Sequence, residues 1–330
     1  MKNLLALLPL ASVALGAPSL VKRQAPLTDE ELSNLELYVQ WAAASGCNGD
    51  QAAGQPVICN ANLCTRFASH GATVAASFIG EDTDIWGFIG VDPVDENIVI
   101  SFRGSSSVQN WITDFDFIQV SCDDLVSGCQ VHRGFNRAWE EVSGALLDGL
   151  AAATAAHPNY KIAVTGHSLG GAVATVTAAH IRAAGYAADL YTYGSPRVGN
   201  EAFVDFVTKQ AGAEYRITHA DDPVPRLPPI WLNYRHTSPE YWIDPDDKDQ
   251  LVVGEIQVCT GYSNTDCNGG TGGLDTSAHS WYLQSLGGCA VETLSQPFEA
   301  FNDTKLENTL TQYAEMDIKV AANLNAAHHS

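Results

Sequence analysis

Thr165-Gly166-His167-Ser168-Leu169-Gly170-Gly171-Ala172 is the stretch around which the chain is organised. A β-branched run from Lys161 leads into it, and a small-residue helical run, Ala172 to Ala184, leaves it before Gly185. Strand, sharp turn and helix is the setting in which G-x-S-x-G presents a serine hydroxyl above a sheet. Gly166 and Gly170 lack Cβ atoms, so strand and helix can pass close together around Ser168. The amides of Leu169 and Gly170 open the helix and make an anion site. A serine alcohol is a weak nucleophile, so the motif needs a base and an acid from elsewhere.

The flanking sequence sets the fold class. Ala72 to Ile79, Ile85 to Val91 and Ile98 to Phe102 read as strands, with Asp92-Pro93 and Asp95-Glu96-Asn97 turning between the last two. Thr28-Asp29-Glu30-Glu31 is a capping box that opens a helix to about Ala44, stopped by Gly46. A second helix spans Phe135 to Ala156, with Trp139, Val142, Leu146 and Leu150 on one face. Strands over Asp189 to Tyr193 and Tyr215 to Thr218 flank a helix from about Glu201 to Gln210. This alternation predicts an α/β fold with a mostly parallel central sheet flanked by helices. One domain is expected over residues 24–290. In the tail, 291–330, Leu306, Leu310, Tyr313, Val320 and Leu324 recur at roughly helical spacing. A docked helix and a removable segment both remain open for it.

The partners of Ser168 follow from order and position. In serine hydrolases with this elbow the acid ends a later strand and the histidine follows it. His219-Ala220-Asp221-Asp222-Pro223 supplies the acid, and Asp222 is preferred because Pro223 holds it extended. Of His236, His279, His328 and His329, His279 lies ten residues before Cys289, where a disulfide would pin its loop. His167 adjoins the serine but projects away, so it is read as structural. Oxyanion donors are expected at the Leu169 amide and at Ser105, in the loop after the third early strand. Val108, Trp111, Ile112 and Phe115 share one face of a short amphipathic piece, Val108 to Phe117, expected to be a lid.

Composition narrows the class. The chain has 330 residues and a formal net charge of −21, which argues against nucleic acid and against electrostatic docking on anionic lipid. Residues 1–17 read as a signal peptide, and 18–23 as a short propeptide ending at Lys22-Arg23. Eight cysteines in a secreted chain suggest disulfides. Local spacing suggests Cys59–Cys64, Cys122–Cys129 and Cys259–Cys267, leaving Cys47 and Cys289 to join the two ends. Asn302-Asp303-Thr304 is the N-glycosylation sequon.

Gly166-His167-Ser168-Leu169-Gly170-Gly171-Ala172, Phe102-Arg103-Gly104-Ser105 with Asn110-Trp111, Tyr193-Gly194-Ser195-Pro196-Arg197, Asp222-Pro223-Val224-Pro225 and Ala278-His279 together resemble the filamentous-fungal class 3 lipases. The resemblance runs from about residue 30 to 290. It implies an α/β-hydrolase fold with nucleophile, acid and base at Ser168, Asp222 and His279. It also implies oxyanion donors at Ser105 and Leu169, and a lid at Val108 to Phe117. Its disulfides fall on Cys47–Cys289, Cys59–Cys64 and Cys122–Cys129, with Cys259–Cys267 as an extra pair. The expected function is a secreted triacylglycerol lipase acting at a lipid–water interface on acylglycerol, through an acyl-enzyme. No metal, organic cofactor or obligate protein partner is implied. The alternatives are a phospholipase A1 or feruloyl esterase on the same core, and a non-catalytic binding protein on a hydrolase fold.

Overall fold

The computed structural model describes residues 27–60, 63–104, 116–244, 253–289 and 304–328. The expected signal peptide, propeptide, glycosylation site, Ser105 and the lid positions Val108, Trp111, Ile112 and Phe115 lie outside the described residues.

Helix α1 (Asp29–Asn48) opens with the expected capping box: Thr28 accepts from the Glu31 amide, and the Glu31 carboxylate accepts from the Thr28 amide. Its expected stop at Gly46 is wrong, since the helix continues to Asn48. Gly46 serves a close approach instead. A Cβ there would lie 2.0 Å from the Cys289 carbonyl oxygen. Cys47, next in the helix, is bonded to Cys289, closing a separation of 242 residues. In a chain-entropy account a closure this long contributes about 5 kcal/mol. Cys59–Cys64, Cys122–Cys129 and Cys259–Cys267 are bonded as their spacing suggested.

The strands are β1 (Thr73–Gly80), β2 (Ile85–Asp92), β3 (Asn97–Phe102), a small ribbon β4 (Gln119–Ser121) and β5 (Gln130–His132), β6 (Lys161–His167), β7 (Ala188–Tyr193), β8 (Glu214–His219), β9 (Glu240–Ile243) and β10 (Ile256–Cys259). The main sheet has the order β1-β2-β3-β6-β7-β8-β9-β10. Its centre, from β3 through β9, is parallel; β1, β2 and β10 join antiparallel at the edges. Successive side chains of the central strands enter opposite cores. Ile98, Ile100, Ile162 and Val164 pack with helices α2 (Arg133–Ala156) and α3 (Leu169–Ala183). Val99, Ala163 and Tyr191 pack with Tyr38 and Trp41 of α1 on the other side. Helix α4 (Glu201–Lys209) is capped by Asn200, which accepts from the Phe203 amide.

In the tail, residues Thr304–His328 form helix α5, which packs on the domain. Leu310 packs with Val224 and Leu227, and Asp317 is buried.

Gly46→Ala should destabilise the folded state by about 1–3 kcal/mol, the usual cost of overpacking. Calorimetry should show the lowered midpoint with the disulfide intact. An unchanged midpoint would mean that α1 and Cys289 are not in this contact.

Candidate active site

The site begins where β6 ends. Ser168 follows His167 with φ 57° and ψ −129°, a conformation costing on the order of 1–3 kcal/mol for a residue with a side chain. The surroundings impose it. The Ser168 amide donates to the Tyr193 carbonyl of β7 at 2.9 Å, and α3 starts at Leu169. Room for the turn comes from two missing side chains: a Cβ on Gly166 would lie 2.4 Å from the Gly170 backbone, and one on Gly170 2.4 Å from the Phe102 carbonyl oxygen. Ser168 is 1% exposed, and among the described residues its hydroxyl has no hydrogen-bond partner. As the first residue of α3, Leu169 has an amide with no intrahelical acceptor.

Asp222 and His279 meet from loops far apart in sequence. His279 Nδ1 lies 2.7 Å from Asp222 Oδ2, and both side chains are fully buried. Tyr282 also donates its hydroxyl to Oδ2, and the Val224 amide donates to Oδ1 at 2.9 Å. Burial, and the Asp222 charge beside it, push the Tyr282 hydroxyl pKa well up and keep it protonated. Asn268 holds the backbone by donating to the carbonyls of Ala220 and Asp222 at 3.0 and 2.9 Å. Asp221 makes no such contact with His279. Its carbonyl accepts from Arg226, which also donates to the Thr271 and Gly273 carbonyls and so ties the acid segment to the loop before His279. Burial lowers the Arg226 pKa to about 10, with Asp222 and Asp221 opposing the shift, so it remains a cation.

His167 is structural, as its position suggested, but it serves the site. Its Nε2 donates to the His279 carbonyl at 2.8 Å, and the two rings lie 4.5 Å apart. The residue before the serine thus holds the loop carrying the histidine. Burial, with His279 adding to the effect, lowers its pKa well below the ordinary value, so it is neutral with the proton on Nε2. His236 is a packed histidine bonded to the Pro225 carbonyl at 2.6 Å, not a second base.

Two supports escaped the sequence reading. Tyr282 stands three residues after His279, within reach across the helical turn Ala278–Ser280. Asn268 follows Cys267, and its role needs the loop folded by Cys259–Cys267. The spacing of Tyr282 from His279 was the only available signal.

A nucleophile elbow, a helix N-terminus beside it and a buried Asp–His pair make the chemistry of acyl transfer. Comparison with known proteins agrees. A family model described as lipase (class 3) matches residues 99–231. Secreted mono- and diacylglycerol lipase 1 of Fusarium solani is 51% identical over 312 residues, covering 94% of this chain and 92% of that protein. The chain belongs to the class 3 lipases. It is a carboxylic ester hydrolase. The crystal structure of mono- and diacylglycerol lipase from Aspergillus oryzae superposes with a TM-score of 0.75 and 39% identity, covering 80% of this chain and all (100%) of that one. A triacylglycerol lipase described as having a serine protease triad at its catalytic centre is 32% identical with a TM-score of 0.70, over 80% of this chain and 99% of that one.

His132 links this region to acid stability. Its Nδ1 accepts from the Gly134 amide at the start of α2, and its Nε2 donates to the Asp116 carbonyl at 2.5 Å, so the folded ring is neutral. Burial lowers its pKa from 6.5 to about 4. Between those values the unfolded chain binds the extra proton and the folded chain does not, so stability falls as pH falls. Denaturant titrations from pH 7 to pH 4 should show a loss on the order of 3 kcal/mol from this group, reduced in His132→Gln. A wild-type profile flat between pH 7 and pH 5 would contradict the buried neutral ring.

Proposed function

We propose that this lipase hydrolyses acylglycerols through Ser168, His279 and Asp222. The buried 2.7 Å contact between His279 and Asp222, in a loop tied to the elbow by His167, carries the assignment. Ser168 Oγ attacks the acyl carbonyl carbon while His279 Nε2 takes its proton. The Leu169 amide, with Ser105 as second donor, stabilises the oxyanion. The tetrahedral intermediate then expels the glyceride alcohol, which takes the proton back from His279. Water repeats the sequence on the acyl-enzyme and releases a fatty acid. Asp222 holds the imidazole in register and stabilises its charged form. In resting sites the serine–histidine contact often tightens only when substrate binds, which suits a hydroxyl without a described partner.

The substrate class is a lipid ester. The names of the Fusarium and Aspergillus relatives favour mono- and diacylglycerols as the better substrates, with triacylglycerol as the wider expectation. Residues 24–290 form the catalytic domain, secreted after removal of 1–17 and 18–23. Val108, Trp111, Ile112 and Phe115 act as the lid that opens at a lipid–water interface, where an apolar face can bury itself.

Ser168→Ala should lower hydrolysis of a soluble short-chain ester by several orders of magnitude without changing the melting midpoint. Asp222→Asn should cost far more than Asp221→Asn. Loss within tenfold for the serine variant, or the reverse order for the aspartates, would overturn the assignment. Rates on emulsified mono-, di- and trioleoylglycerol should favour the partial glycerides. A clear preference for the triester would return the reading to a triacylglycerol lipase.

A further inference from the structure

Helix α5 lies against the segments that surround the candidate site. Leu310 packs with Val224 and Leu227, which follow Asp222 in the same segment. Phe117, the last residue of the candidate lid segment, and Leu274, in the loop before His279, join the same cluster. Tyr313 meets Phe117 edge-on at 6.1 Å and Trp231 at 5.8 Å between ring centres. An ester seated at Ser168 must lay its acyl chain on apolar surface close by. Val224 and Leu227, in the segment that follows Asp222, are apolar and closed to solvent, at 0% and 2% exposed.

The docking is specific but light. Of the described side chains in this 25-residue helix, only Leu310, Asp317 and Ala321 are buried. Asp317 sets the register. Its Oδ2 accepts from Arg197 Nη1 at 2.7 Å, and its Oδ1 accepts from the Ile230 amide at 2.6 Å. Buried ion pairs of this kind fix geometry more than they add affinity, because desolvation offsets the attraction. Met316 and Ile318 on the same helix are exposed, so a lipid surface has apolar side chains to draw on as well.

Resting on the catalytic reading above, we propose that α5 is a built-in competitor of the acyl chain. Its Leu306, Leu310 and Tyr313 side chains occupy the apolar surface beside Asp222, and hydrolysis requires their displacement. A docked helix of this kind taxes substrate binding by the fraction of molecules in which it is lifted. Cutting the chain between the last disulfide and α5 relieves the tax, because the helix then loses the effective concentration of its tether.

The test places a specific protease site within 290–303 of the full chain and follows hydrolysis of a dissolved short-chain ester. Cutting and removing the helix should raise kcat/KM by about tenfold, the change for a competent fraction near one tenth. A synthetic peptide of residues 304–328, added back, should raise KM and leave kcat unchanged. Leu310→Ala and Tyr313→Ala in the uncut chain should raise kcat/KM in the same direction. A cut enzyme that stays folded with kcat/KM unchanged or lower, and indifferent to the peptide, would overturn the proposal. If the cut enzyme unfolds, unchanged rates in both uncut variants would overturn it as well, and raised rates would support it. Failure of the underlying reading looks different: Ser168→Ala would leave the rates of cut and uncut enzyme untouched.

Discussion

Ser168 leaves the sheet only because its backbone is held at φ 57°. That strain must be met by packing, and most of the architecture around it can be read as the means. A parallel sheet fixes β6 from both sides, through β3 and β7, before the turn begins. Helix α3 is all but sealed from solvent, so it cannot relax away from the strand. With Gly166 and Gly170 removing the two Cβ collisions, the cost of the turn is spread over contacts made elsewhere.

The second constraint is electrostatic. Buried charge in β8, β9 and the loops after β7 and β8 is set against partners. Arg216 lies 3.0 Å from Glu240, Arg197 2.7 Å from Asp317, and Arg226 binds three backbone carbonyls. A buried cation without such partners would destabilise the fold by several kcal/mol. Arg226 therefore ties the acid segment to the loop before His279. Tyr282 and Asn268 complete that frame with neutral donors. His167 closes it by joining the elbow to the His279 carbonyl.

Local chemistry explains what was legible in the sequence. The capping box at Thr28, the elbow and the preference for Asp222, whose carboxylate meets His279, over Asp221 each rest on residues adjacent in the chain. The parallel order followed from strands alternating with helices. Other elements depend on partners far away. β9 is a short run, Tyr241-Trp242-Ile243 after Pro239-Glu240, and its buried Glu240 is accommodated by Arg216, Thr218, Asn264 and Asn268, which come from other parts of the chain. Gly46 looks like a helix stop until Cys289 is brought against it. Asp317 looks like a surface residue of an amphipathic helix until Arg197, separated from it by 120 residues, is placed beneath it. Tyr282 needed the folded turn after His279 to reveal its target.

The central claim is that Ser168 is the activated nucleophile of a carboxylic ester hydrolase. A fluorophosphonate reacts only with a serine made nucleophilic by its neighbours, so labelling followed by peptide mass mapping tests the claim directly. The account predicts one adduct per chain, on Ser168, lost in His279→Ala. Labelling at another serine, or an unmodified Ser168 in folded protein, would contradict it.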